Sequence, residues 1–161
     1  MPRLSVIALV VLSAMGISPV RSNATDCCGP CIDSLSNRSF SKVEDMPQLA
    51  EYAPILFVGM VVKAETLECC DRFADVTFRV KKVWKGSGLT TPTVRTGAGC
   101  ARPFPFAIGQ EYLVAATGAG GREGVLFLDL AFTPLGVSAA QQHIQALDDW
   151  RRAKFDAETA K

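Results

Sequence analysis

The sequence has one histidine, His143, and almost no excess of charge of either sign, with 17 lysines and arginines against 16 aspartates and glutamates. A lone histidine cannot build a histidine-based metal cluster, and much ordinary catalysis, including a Cys–His nucleophile pair, is hard to build from this inventory. The balanced charge leaves no basic surplus to neutralise a phosphate backbone, so we expect no nucleic-acid partner. We therefore predict a protein that is not an enzyme and that has no cofactor and no metal site.

The chain also lacks an apolar run of the roughly 20 residues that a bilayer span requires. Its N-terminal run, residues 4–16 (LSVIALVVLSAMG), follows Arg3 and has the length of a secretory signal core. Ser22-Asn23-Ala24 then places small residues where a signal peptidase cleaves. We predict a signal peptide over residues 1–24, a secreted or periplasmic product that begins at Thr25, and no membrane span in that product.

All the cysteines follow the predicted signal peptide. They are Cys27, Cys28, Cys31, Cys69, Cys70 and Cys100. An even number of cysteines in a short exported chain is typical of a disulfide framework, whose pairing the sequence alone does not select. A bridge between adjacent cysteines strains the peptide that links them, which disfavours Cys27–Cys28 and Cys69–Cys70. We expect the N-terminal cluster to be joined to the Cys69–Cys70 region and to Cys100.

Two other uses of the cysteines compete with this interpretation. Cys28-Gly29-Pro30-Cys31 matches the CGPC of thioredoxin-type redox centres, but that motif needs a buried strand before it and a helix after it. A zinc site with four cysteine ligands normally takes its second pair from another CxxC, whereas Cys69 and Cys70 are adjacent. Structural disulfides are therefore the favoured reading, and a thiol oxidoreductase is kept as an alternative.

The middle of the chain has the hydrophobic period of β-strands. Strands are predicted over 55–62, 73–84, 91–96, 109–116 and 125–130. The first run is apolar throughout, as for a strand buried on both faces, and Gly59 within it indicates a bulge or a close backbone approach. The second alternates, with Val76 and Phe78 on one face. Five short strands at regular spacing indicate a small antiparallel barrel or sandwich.

Helical patterns flank the strands on both sides. Residues 44–52 predict a short helix, and residues 139–157 predict a longer one with Ser138 as its N-cap. We accordingly divide the exported chain into a cysteine-rich segment with a short helix (25–53), a β-barrel (54–137), and a C-terminal helix with its tail (138–161).

Aromatic residues are interpreted mainly as packing groups. Phe104-Pro105-Phe106 places two rings in a loop fixed by proline, and we favour a plug at the barrel end over an exposed contact. Trp84 and Trp150 are interpreted as core residues rather than as a pair that stacks on a ligand.

Four stretches resemble the tissue inhibitor of metalloproteases family. They are 57–62 (FVGMVV), 76–86 (VTFRVKKVWKG), 94–97 (VRTG) with Cys100, and 106–114 (FAIGQEYLV). The resemblance covers roughly residues 54–117. It implies a netrin-like, five-stranded OB barrel in Greek-key order with helices packed outside. The fold class that we expect is therefore an all-β core with flanking helices and an N-terminal segment held by disulfides.

In that family, the chain begins at a cysteine whose amino group and carbonyl bind the zinc of the target protease. Carried over, the resemblance implies a bridge from Cys27 or Cys28 to Cys100. It also implies a protein-contact ridge made of Thr25, Asp26, Cys27, Cys28, Ala98 and Gly99. The family opens with Cys-x-Cys, whereas this chain has Cys27-Cys28-Gly29-Pro30-Cys31 preceded by Thr25 and Asp26. We therefore expect a secreted protein-binding module, with inhibition of a zinc metalloprotease as the alternative function.

Overall fold

The computed structural model describes residues 38–67, 73–97, 103–118, 124–129 and 131–160. A single 3₁₀ turn (Val43–Asp45) leads into helix α1 (Met46–Tyr52). The strands are β1 (Ile55–Thr66), β2 (Ala74–Lys85), β3 (Thr93–Thr96), β4 (Glu111–Thr117), β5 (Val125–Leu128) and β6 (Leu135–Gly136), and helix α2 (Gln141–Thr159) follows them.

Five of the strands close into a barrel. Their order is β1-β2-β3-β5-β4, and β4 pairs with β1 to complete the circle, while β6 adds a short strand beside β4. Four pairings within the barrel are antiparallel, whereas β3 and β5 run parallel. The predicted all-β, OB-like barrel with flanking helices is therefore confirmed. The barrel is mixed rather than purely antiparallel, and the sandwich alternative is wrong.

The first part of strand β1, residues 55–62, is buried on both faces, as its continuous apolar run predicts, and the last four residues of the strand are exposed. One face points into the barrel, where Phe57 and Val61 pack with Val76 and Phe78 of β2. The other face carries Leu56 and Val58, which pack in a second core formed outside the barrel with α1 and α2. Burial of apolar area on both sides of a central strand makes β1 the element that joins the two cores.

Gly59 lies at an irregularity of the β1–β2 ladder, as predicted. The pairing moves from Val58↔Lys82 to Gly59↔Val80, so that β2 contributes one extra residue at this point. A Cβ atom on Gly59 would lie 3.1 Å from Phe57 Cε2 and 3.1 Å from Phe78 Cβ. Both expectations for this glycine, a bulge and a close approach, are confirmed.

Helices α1 and α2 cover the outer face of the barrel. The inward face of α2 holds Leu147 with no exposed area, and its partly buried Ile144 and Trp150 pack against the same core. Phe155 near its end is 65% exposed, and residues 151–160 are all exposed. Asp148 accepts a hydrogen bond from the indole N–H of Trp84 at 3.1 Å, which ties α2 to β2.

The start of α2 differs from the prediction. The helix begins at Gln141 with Ala140 as its N-cap, so Ser138 does not cap it. The reason is a preceding turn, in which the backbone N–H groups of Ala139 and Ala140 both donate to the carbonyl of Gly136. Ser138 lies inside that turn. In the part of the chain that the structure describes, no helix combines the length and the hydropathy that crossing a membrane demands.

Candidate protein-contact surface

The residues predicted to form the contact ridge and the disulfides all lie outside the described residues. They are Thr25, Asp26, Cys27, Cys28, Cys31, Cys69, Cys70, Ala98, Gly99 and Cys100. The structure shows instead the framework to which these three stretches are joined. The first stretch precedes Arg38, the second lies between Leu67 and Phe73, and the third lies between Gly97 and Pro103.

The strands that lead into the second and third stretches end side by side. Thr66, the last residue of β1, pairs with Ala74, and Ala74 pairs in turn with Thr96 at the end of β3. Strand β5 runs parallel to β3, with Arg95 opposite Phe127, so β5 ends on the same side as β3. We call this row of strand ends, with the residues that directly follow them, the cysteine edge of the barrel.

The described segment that follows the first stretch contacts the chain just beyond β5. The backbone N–H of Phe40 donates to the carbonyl of Ala131 at 2.8 Å, just beyond the end of β5. Phe40 is 7% exposed and belongs to the outer core, and Arg38, the first described residue, lies over the ring of Tyr52 of α1 at 5.3 Å. The second and third stretches are therefore attached at neighbouring strand ends, and the first joins a segment that bonds to the chain just beyond β5.

Two contacts hold the middle of this edge. Arg95 of β3 binds Asp75 of β2 through both oxygens, with Nε–Oδ1 at 2.7 Å and Nη2–Oδ2 at 2.8 Å. Less than a fifth of either side chain is exposed, and the hydrogen bonds from Asp75 raise the pKa of the Arg95 guanidinium. The backbone N–H of Leu67 donates to the carbonyl of Phe73 at 3.1 Å, closing the hairpin around residues 68–72. The bidentate pairing of Arg95 with Asp75 fixes the orientation of the two side chains as well as their distance.

The base of the third stretch is closed by a buried side chain. The Thr96 hydroxyl oxygen accepts the backbone N–H of Phe104 at 2.9 Å, and Thr96 has no exposed area. Phe104 packs on Phe106 and Tyr112, at ring-centroid distances of 4.6 Å and 6.0 Å. Phe106 in turn meets Phe78 of the barrel interior at 5.2 Å, so the predicted plug at the barrel end is confirmed.

A cleft of about 280 Å³ lies beside this loop base. Its walls include Thr96, Phe104, Leu128, Asp129, Phe132 and Pro134. Sequence reasoning missed Asp129 and Thr96 as residues of interest. In the sequence, Asp129 directly follows the apolar run 125–128, and a carboxylate at such a position is the signal that could have identified it. For Thr96 the signal is its place two residues after Val94, on the same inward face of β3.

A second cleft, of about 810 Å³, lies beside the outer core, where Arg38 and Phe40 meet α1 and Trp150 of α2. Here Glu51 of α1 accepts hydrogen bonds from Trp150 Nε1 and Lys154 Nζ of α2, each at 3.1 Å. The bond from Lys154, followed by that from Trp150, lowers the pKa of the Glu51 carboxyl. Every donor and acceptor in this small network comes from the two helices, so its role is to hold them together.

The described residues contain no group of three or more histidine, cysteine, aspartate or glutamate side chains placed to hold a metal ion. Neither a protein-family model nor a curated protein matches the chain.

Proposed function

We propose that this protein is a secreted, non-enzymatic binding module of the netrin-like kind, similar to the tissue inhibitors of metalloproteases. It contacts a protein partner through the cysteine edge. The observation that carries the proposal is that the two stretches with Cys69, Cys70 and Cys100 adjoin neighbouring strand ends, while the chain that follows the N-terminal cluster bonds through Phe40 to Ala131, just beyond β5. Disulfides among them would present the ridge residues 25–28, 98 and 99 together.

Chain length supports the same arrangement. An extended chain spans at most about 3.5 Å per residue, so the seven residues from Arg38 back to Cys31 reach about 25 Å. A disulfide needs its two Cα atoms within about 7 Å, and this length of chain supports the proposed pairing of the N-terminal cluster with Cys100.

Site-specific photo-crosslinking on the secreted full chain tests the proposal. A benzophenone amino acid in place of Glu65, exposed at the end of β1, reports on the cysteine edge. The same group in place of Gln145, exposed on α2, is the matched control. We expect a defined protein adduct from position 65 in the medium of the producing cells and none from position 145. Adducts from position 145 alone would contradict the proposal.

The competing enzymatic function has its own assay. A thiol oxidoreductase built on Cys28-Gly29-Pro30-Cys31 would reduce insulin with many turnovers in the presence of a dithiol reductant. We expect no turnover and no free thiol in the secreted protein. Sustained insulin reduction would overturn the binding-module proposal.

Inhibition of a zinc metalloprotease is a second candidate function, since the ridge would hold Ala98 and Gly99 beside the N-terminal cysteines. Zinc ligation needs a free amino group about 2 Å from the metal, and in a product that begins at Thr25 the nitrogen of Cys27 is an amide. We expect no inhibition by the form that starts at Thr25. Nanomolar inhibition by a secreted form that starts at Cys27 would establish the inhibitor function.

A further inference from the structure

Asp129 is a buried carboxylate with one oxygen left unpaired. The residue is 5% exposed, and its Oδ1 accepts the backbone N–H of Ala131 at 2.9 Å. Its Oδ2 has almost no accessible area and has no hydrogen-bond partner among the described residues. Folded proteins nearly always pair a buried carboxylate oxygen, because its desolvation is otherwise uncompensated. The orphaned oxygen therefore calls for a donor from outside the described chain.

The carboxylate lies at the cleft beside the cysteine edge, whose other walls are mainly apolar. Phe104, Phe132 and the prolines Pro103, Pro105 and Pro134 supply those walls. An apolar cleft with one carboxylate suits an alkyl chain that ends in a single cation. A metal ion does not fit, because the described residues bring no second or third acidic or histidine ligand to the cleft.

The available acceptor also selects among cations. Oδ1 is already bonded to Ala131, so only Oδ2 is free to accept. A guanidinium pairs best with both oxygens of a carboxylate, whereas an ammonium acts as a point charge and needs one. Because Oδ2 has almost no accessible area, contact with the ammonium requires a rotation about χ2, which is a soft torsion in aspartate.

We propose that this cleft receives a lysine side chain of the protein partner, with its ammonium paired to Asp129. The inference rests on the proposed function, because it gives the partner of the cysteine edge a specific anchor. It assigns Asp129 as a specificity-determining residue and gives a role to a buried carboxylate that follows an apolar strand.

Titration of the full secreted chain with n-butylammonium, followed by NMR, tests this inference, and n-butanol is the neutral control of equal length. We expect saturable shifts of the Thr96, Phe104 and Ala131 amides with the ammonium. In Asp129→Asn, which keeps an oxygen for Ala131, the ammonium should bind about tenfold more weakly or worse, because a charge-assisted hydrogen bond is lost. Equal affinity in the two proteins, or no saturable shift in the wild type, would overturn the inference.

A measurement on the wild type alone covers the case in which Asp129→Asn does not fold. The ¹³C resonance of the Asp129 carboxyl should move when n-butylammonium is added and should stay in place with n-butanol. An unmoved resonance would overturn the inference. If the cleft does not bind n-butylammonium, crosslinking from position 65 is still expected. If the cysteine edge does not bind a protein partner, that crosslink is absent and the ammonium titration is unchanged.

Discussion

The buried hydroxyl of Thr96 accepts the backbone N–H of Phe104 at 2.9 Å, and this bond closes the base of the loop that carries Ala98, Gly99 and Cys100. Thr96 ends a barrel strand, and Phe104 belongs to the aromatic plug. The bond therefore joins the predicted contact loop to the rigid part of the barrel, which is the usual way for a fold to position a binding loop.

Replacement of Thr96 tests this role of the hydroxyl. Thr96→Val keeps the shape of the side chain but leaves the Phe104 N–H without its acceptor, and we expect a loss of about 1–3 kcal/mol in the free energy of unfolding. Thr96→Ser keeps the acceptor and loses one methyl group, a cost of about 1 kcal/mol. Urea denaturation measures both. Hydrogen exchange at the Phe104 amide should accelerate in Thr96→Val alone, and equal exchange in the two variants would refute the role.

Gly59 provides a test of barrel packing. In Gly59→Ala the new Cβ would lie 3.1 Å from both Phe57 and Phe78 and 3.3 Å from the carbonyl of Arg79. We expect a loss of about 1–3 kcal/mol in the free energy of unfolding, as for other overpacked cores. Gly136→Ala is the control, because the nearest atom to its Cβ is 4.0 Å away, and its effect should stay within about 0.5 kcal/mol. Equal effects of the two substitutions would show that the close approach at Gly59 is unimportant.

Local patterns predicted the faces of the strands well. The alternation of Val76 and Phe78 with Thr77 and Arg79 reports burial directly, because successive side chains point to opposite faces. The parallel pairing of β3 with β5 was not predictable in this way, since it depends on the order in which the barrel closes. Strand β6 has only two residues and carries no periodic signal.

The candidate site was less accessible to sequence reasoning. The resemblance directed attention to Ala98, Gly99 and Cys100, which lie outside the described residues. The sequence does not predict the unpaired oxygen of Asp129, because the surroundings of this residue depend on the parallel pairing of β3 and β5, which brings the end of β5 beside Thr96. A lone aspartate after an apolar strand signals a buried carboxylate, but it does not tell which groups surround it.

The contact between α1 and α2 should depend on pH through Glu51. Its pKa is lowered from the ordinary 4.5 by the hydrogen bonds from Lys154 and Trp150. Stabilisation by ionised Glu51 is thus complete above pH 4.5 and is lost as the pH falls through the lowered value. We expect Glu51→Gln to melt below the wild type at pH 7 and to approach it on acidification. Glu44→Gln, at an exposed residue before α1, is the control, and a gap for Glu51→Gln that persists at pH 2 would contradict the assignment.

Removal of a cysteine tests the disulfide framework. A bridge from Cys100 to the N-terminal cluster closes a loop of about 70 residues, and the lost entropy of the unfolded chain amounts to about 4 kcal/mol. Cys100→Ala should lower the melting temperature markedly and leave one free thiol. In a strong reductant the variant and the wild type should melt alike. An unchanged melting temperature under oxidising conditions would show that Cys100 is not part of a stabilising bridge.

The central claim is that a disulfide-held N-terminal segment and the barrel edge form one contact surface. Peptide mapping of the secreted protein by mass spectrometry without reduction tests it most directly, because one map reports both the first residue and the linkages. We predict a chain that begins at Thr25, with all six cysteines oxidised and Cys100 linked to Cys27, Cys28 or Cys31. A bridge between Cys28 and Cys31 together with a free thiol at Cys100 would contradict the account.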